Sequence, residues 1–262
     1  MVPNYKIQIN YVEKIVKLKL KYSYHLFSKE NIKVQNALNN YCDIYRKTDL
    51  YSLKNNSFLP GGEKKWNKLV VQIYHLLNKK KYNDLNNFIK KSYDILRPRL
   101  IARYKKKYAL TEYNKTARFG CFDYGICDEK IDLHMPVFQF INHKLKKSSI
   151  KKNKSLMRLK DLLNLVEHAV KNYPNCKIIQ CGTWMNTYYP FRKLFPPSWK
   201  PTQKYKNKNS IAWWGQFVDV TGNIHKKNTS AFIENLKFPY LGEFYECDIF
   251  ELKDFIFSSI KK

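Results

Sequence analysis

The sequence predicts a mixed α/β (or α+β) fold in two parts, a helical and basic N-terminal region over residues 1–110 and a mixed-sheet α/β domain over residues 111–262 with one long packed helix. Three observations predict it. Apolar residues recur every three or four positions through the first hundred residues, which is helical spacing. The pattern then changes to short alternating or continuous apolar runs. Between two of those runs lies a single long amphipathic segment, the arrangement of a strand, helix, strand unit.

In chain order, the helical stripes are Val12, Ile15, Val16 and Tyr22; Ile32, Leu38, Tyr41 and Ile44; Trp66, Leu69, Val70, Ile73, Leu76 and Leu77; and Leu85, Phe88, Ile89 and Leu96. Ser28 is placed to cap the second segment, Pro60-Gly61-Gly62 to precede the third, and Pro98 to lie beyond the fourth. The runs ARFGCFDYG and IDLHMPVFQF then read as strands. A helix is predicted from about Ser155 to Tyr173, with Leu156, Leu159, Leu162, Leu163, Val166, Ala169 and Val170 on one face and Pro174 as a stop. A strand from Cys176 to Trp184 follows, then the Pro-rich loop YYPFRKLFPPSWKP and a third apolar run, Ile211 to Val220. A short helix at 229–236, a strand near 244–247 and a terminal helix near 249–260 complete the order.

The chain holds 49 Lys+Arg against 21 Asp+Glu, a formal charge of +28, yet only seven of the basic residues are arginine. Lysine-rich charge of this size suits a polyanion through counterion release. Arginine is the residue of bidentate phosphate and guanine recognition, and its scarcity weakens that argument. Clusters at Lys79–Lys81, Lys105–Lys107 and 144–160, with tyrosines in RYKKKY and QKYKNK, supply the stacking and charge of a nucleic-acid-binding alternative. No 18-residue apolar run and no secretory apolar segment occur, so the expectation is a cytoplasmic protein without membrane association. The six cysteines, at 42, 121, 127, 176, 181 and 247, show no C-x2-C spacing for structural zinc and are expected as free thiols. Walker, G-x-G-x-x-G, H-E-x-x-H and G-x-S-x-G motifs are absent, which argues against the chemistries they carry.

Candidate chemistry comes from strand periodicity. Side chains alternate along a strand, so Asp132 and His134 share a face, and the carboxylate is placed to orient the imidazole as a general base. Asp132, His134 and the distant His225 are also donor types of a metal site, although no metal is assigned. Trp184 and Asn186 stand at the end of a strand, where open α/β sheets present ligand contacts. Trp214 and Gln216 alternate with Trp213, Phe217 and Asp219 in AWWGQFVD. Trp184, Asn186, Trp214, Gln216, Asp219 and His225 are the expected substrate-binding residues, and Asp132 and His134 the catalytic ones. Cys181 is a weaker nucleophile candidate, if its strand lies beside His134.

The order of helices, two strands, a long helix, a strand, a short helical turn and another strand is similar to that of the GCN5-related acyltransferases over about residues 115–220. The resemblance implies a pyrophosphate-binding loop at Asn142–Ser155, where the sequence reads NHKLKKSSIKKNKS without that family's glycine. Lysines and serines at a helix N-terminus still suit an anionic donor of the phosphopantetheine type. The expectation is therefore an enzyme of the group-transfer class, acyltransferase-like, acting on an anionic small-molecule substrate or donor. No cofactor is assigned.

Overall fold

The computed structural model describes residues 5–52, 55–77, 84–109, 119–135, 153–202, 214–218 and 223–261. The chain divides into two compact units, Met1–Tyr113 with Phe217–Lys226, and Asn114–Gln216 with Lys227–Lys262. The segment Phe217–Lys226 thus belongs with the N-terminal unit. The fold is mixed α/β.

In the first unit, α1 (Tyr5–Lys29) leads to a short α2 (Val34–Asn36), which continues as a π-helical turn (Ala37–Tyr41) and a 3-10 turn (Ile44–Lys47). A two-stranded ribbon, β1 (Tyr51–Ser52) and β2 (Ser57–Phe58), precedes α3 (Gly62–Leu77) and α4 (Leu85–Ala109). Helices α1 and α3 both pack on α4, and Val16, Leu20, Ile73, Phe88 and Leu96 are fully or nearly fully buried. Gly62 opens α3 because a Cβ there would run into the Leu50 carbonyl.

Two expectations for this unit are corrected. Ser28 lies in the last turn of α1, where it caps nothing downstream. Helix α4 does not stop before Pro98 but continues through it. A proline inside a helix costs about 3 kcal/mol; here Leu96 and Leu100 are buried on either side, and Arg103 Nη1 donates to the Thr48 and Tyr51 carbonyls at 2.8 Å each. Tertiary contacts made only by a continuous helix outweigh the local break.

In the second unit, β3 (Asp123–Cys127) and β4 (Lys130–His134) form an antiparallel hairpin closed by Asp128 and Glu129, both in the left-handed region with φ 49° and 59°. Helix α5 (Asn153–Asn172) crosses to β5 (Ile178–Thr183), which runs parallel to β4. A 3-10 turn (Trp184–Thr187), α6 (Tyr189–Arg192), the edge strand β6 (Lys200–Pro201), a second 3-10 turn (Trp214–Phe217), α7 (Lys226–Asn235), β7 (Glu243–Asp248) and α8 (Ile249–Lys261) follow. The sheet order is β3-β4-β5-β7-β6, so the last strand inserts between β5 and β6, and β4–β5 is its one parallel pair among the described residues.

One face of this sheet is core and the other is polar. Tyr124, Ile131, Leu133, Ile179, Cys181, Tyr245 and Cys247 are buried against Leu162, Leu165, Val166 and Ala169 of α5 and Leu252 and Ile256 of α8. The alternate positions, Asp123, Lys130, Asp132, His134, Gln180 and Glu246, are half-buried or exposed. Of the predicted strand Ile211–Val220, residues 211–213 and 219–220 lie outside the described residues, and the rest is corrected: Trp214–Phe217 form a 3-10 turn, and Val218 makes an isolated bridge to Ile224. In place of a ladder, the Gln216 side chain itself pairs with a backbone, donating to the Tyr240 carbonyl at 2.9 Å and accepting from Tyr240 N–H at 3.0 Å.

Candidate functional site

Strand period alone puts Asp132 and His134 on the polar face, and the fold brings them together. His134 Nε2 lies 3.6 Å from Asp132 Oδ2, with the imidazole 52% exposed and the carboxylate 28%. His134 pairs with Asp123 on β3, and its Nε2 reaches over Gly125, the partner of Asp132, where a side chain would crowd the ring. Burial raises the Asp132 pKa above the ordinary carboxylate value, opposed by the His134 charge and by a hydrogen bond from Gln180. Gln180 is the Cα partner of Asp132 across the parallel pair. Beside them, Lys130 Nζ holds Glu246 Oε2 at 2.8 Å. The arrangement is a carboxylate held from one side by an amide and turned toward a half-exposed imidazole.

The backbone around this dyad has a second property. Alternate residues of an antiparallel strand aim their N–H and C=O at opposite neighbours. Thr202 N–H donates to the Phe244 carbonyl, so Phe244 aims at β6, and Glu243 and Tyr245 aim at β5. Their partners Thr183 and Cys181 therefore aim at β7, which leaves Gln180 and Gly182 aiming at β4. Pairing of β4 with β5, however, ends at Asp132/Gln180. Strand β5 continues to Thr183 on β7, and among the described residues its pairing with β4 stops at Gln180, with the Gly182 peptide groups facing the β4 side. Gly182 has no side chain there because the Phe244 ring lies across it.

Thr183 Oγ1 accepts from Met185 N–H at 3.2 Å and starts the 3-10 turn that follows β5. Trp184 stacks obliquely on Tyr240 at 5.2 Å and stands 6.4 Å from Tyr188, forming an aromatic rim beyond the strand end. Asn186 is fully buried: its amide donates to the Cys181 carbonyl at 2.9 Å and the Glu243 carbonyl at 2.8 Å, and its oxygen accepts from Trp199 Nε1 at 3.2 Å. Both its donors are engaged in closing the end of the β5–β7 ladder.

The remaining predicted residues do not join the dyad directly. Trp214 packs on Phe232 and Phe238 at 5.6 and 5.1 Å. Gln216 reaches the site at second hand, holding the Tyr240 backbone while the Tyr240 ring carries Trp184. His225 belongs to the other compact unit, where its N–H donates to the Phe217 carbonyl at 2.9 Å. Asp219, the lysine-rich segment Asn142–Lys152 and the clusters Lys79–Lys81 and QKYKNK lie outside the described residues.

Cys181 is a neighbour of the dyad in sequence register only. Its side chain points to the core face, opposite His134, and burial pushes its thiol pKa up, away from nucleophilic thiolate. Among the described residues no group of three or more His, Cys, Asp or Glu is placed to hold a metal ion, and no helix is long and apolar enough to cross a membrane. Sequence reasoning missed Gln180 and Gly182. Their signal was a polar and a bare residue at alternate positions of the otherwise apolar CKIIQCGTW.

No protein-family model matches this chain, and neither a curated protein nor a solved structure matches it.

Proposed function

We propose that the second unit is a group-transfer enzyme, acyltransferase-like, that takes an extended, amide-bearing thioester donor of the phosphopantetheine class where the β4–β5 pairing ends. That early end, at Asp132/Gln180, carries the reading. Gly182 faces the β4 side beyond it, and an extended ligand with its own amides supplies hydrogen-bond partners there by adding alongside β5 as a short strand does. The half-exposed His134 stands on the polar face beside Asp132, and Trp184 and Tyr240 pack together just after the end of β5. Acyl transfer there runs by attack of an acceptor amine or hydroxyl on the thioester carbonyl. The new N–C or O–C bond forms as the C–S bond breaks, the acceptor's proton passes to His134 Nδ1, and the thiolate leaves. Asp132, fixed by Gln180, keeps the ring oriented and balances the imidazolium.

The test uses S-acetyl-phosphopantetheine. Backbone amide resonances of Gly182 and Thr183 are expected to shift on its addition, and thiol release with pooled amine and hydroxyl acceptors is expected to fall about 100-fold or more in His134→Ala. Unmoved resonances together with no thiol release would overturn the reading. Salt-steep binding of single-stranded oligonucleotide, unaffected by His134→Ala, would move it to the polyanion alternative.

A further inference from the structure

The first unit contains a cationic cluster that the chemistry above does not use. Lys19 of α1 is 1% exposed, and its ammonium lies 2.5 Å from both the Cys42 carbonyl and Asp43 Oδ1. Asp43 is held in the left-handed region, φ 42° and ψ 40°, an uncommon conformation for a residue with a side chain. It follows, after Cys42, the π-helical turn Ala37–Tyr41, a geometry frequent at functional sites.

From Asp43 the 3-10 turn Ile44–Lys47 carries Arg46 and Lys47 into the same place. Arg46 bonds Asn56 at 3.0 Å and lies over the Tyr51 ring. Arg103 of α4 reaches in to the Thr48 and Tyr51 carbonyls, and Arg99 of α4 meets Asp49 at 3.4 Å. Five cations therefore converge on two carboxylates, Asp43 and Asp49, and one oxygen of Asp49 is buried without a hydrogen-bond partner among the described residues.

Lys47 is the member left over. It is half-buried, and the charges of Lys19, Arg103 and Arg46 oppose its own more than Asp43 supports it. Every other cation of the cluster is tied to a carbonyl or a carboxylate, whereas Lys47 has no hydrogen-bond acceptor among the described residues. Desolvation and this repulsion lower its pKa to about 8. A cluster with this imbalance is relieved by an anion, which supplies the missing charge and the missing acceptors together.

We propose that this cluster is a binding site for a small phosphoryl-type dianion, free phosphate or a phosphomonoester, that Lys47 and its neighbouring cations hold between the 3-10 turn, α1 and α4. Occupation keeps Lys47 charged, so binding takes up a proton near the Lys47 pKa.

The experiment is calorimetric titration of the full chain with sulfate, whose charge does not change over the range, at about pH 6.5 and about pH 9.5, followed by inorganic phosphate and phenyl phosphate. Sulfate is expected to bind more tightly at the lower pH. Lys47→Met is expected to weaken binding about tenfold or more and to remove the pH dependence, while Lys47→Arg retains binding and loses only that dependence. Lys47→Met removes a repelled charge and is expected to melt no lower than the parent, which keeps the variant informative. Phenyl phosphate binding as well as phosphate identifies a monoester site; exclusion of phenyl phosphate identifies free phosphate. No sulfate uptake at low ionic strength, equal binding by Lys47→Met, or equal affinity at both pH values in the parent would overturn the proposal.

Discussion

Replacing Asn186 with leucine separates two roles for one residue, ligand contact at a strand end and closure of that strand end from within. Leucine matches asparagine in volume closely enough that the change is chiefly one of hydrogen bonding. It strips the partner from Trp199 Nε1, a donor with one hydrogen, and removes one of the bonds to each of the Cys181 and Glu243 carbonyls. A buried donor left unpaired costs about 1–3 kcal/mol, and a carbonyl that keeps a ladder bond costs less. Together the expected loss is about 3 kcal/mol, a large share of the roughly 5–15 kcal/mol that holds a domain. Urea unfolding followed by tryptophan fluorescence measures it. The Trp199 indole, stacked on Phe195 at 4.2 Å, reports the site itself. A loss under about 1 kcal/mol with donor binding abolished would refute the structural role and return Asn186 to the substrate-orienting role its sequence position suggests.

Other expectations follow from the same geometry. His134→Ala should leave the melting midpoint within about 1–2 °C of the parent, since the ring is half-exposed and its ion pair among the described residues is long, while removing thiol release; an equal loss of stability and activity would make it a structural histidine. Gly182→Ala forces the Phe244 ring off its place beside the end of the β4–β5 pairing, so it should cost about 1–3 kcal/mol and weaken S-acetyl-phosphopantetheine binding by more than the stability loss explains; unchanged donor affinity in the folded variant would contradict the proposed donor path. Lys47 has a native pKa of about 8 against the ordinary lysine value of 10.5, so the unfolded chain binds more protons between those values and stability should rise across that window as pH increases. Below it the charged lysine costs about 3 kcal/mol at 1.36 kcal/mol per pKa unit, and Lys47→Met should gain up to that amount near neutral pH and lose its advantage by about pH 10; a gain that does not vary with pH would be inconsistent with the shift. Thiol labelling of the native protein should be fast at the exposed Cys127 and slow at Cys42, Cys181 and Cys247, whose burial raises their pKa values; Cys127→Ser should remove the fast phase, and a fast phase that survives would contradict the burial.

The sequence by itself determined what depends on periodicity within a single element. The apolar stripe of α5 and the alternation of KIDLH and IIQCGT follow from side-chain spacing, and so does the placing of Asp132 and His134 on one face. It did not determine what depends on partners distant in the chain. Helix α4 runs through Pro98 because Leu100 and Arg103 have places to go that local propensity does not register. Trp214 to Phe217 is apolar enough for a strand, yet it turns because the Gln216 side chain satisfies the Tyr240 backbone. Nor does the pattern of GTWMN distinguish an amide offered to a ligand from one consumed by the Cys181 and Glu243 carbonyls. The insertion of β7 between β5 and β6, the early end of the β4–β5 pairing and the gathering of Lys19, Arg46, Lys47 and Arg103 were likewise decided only in three dimensions. Strand order and charge convergence are non-local: each residue's spacing is written in its own segment, while the identity of its neighbour is set by how the segments pack.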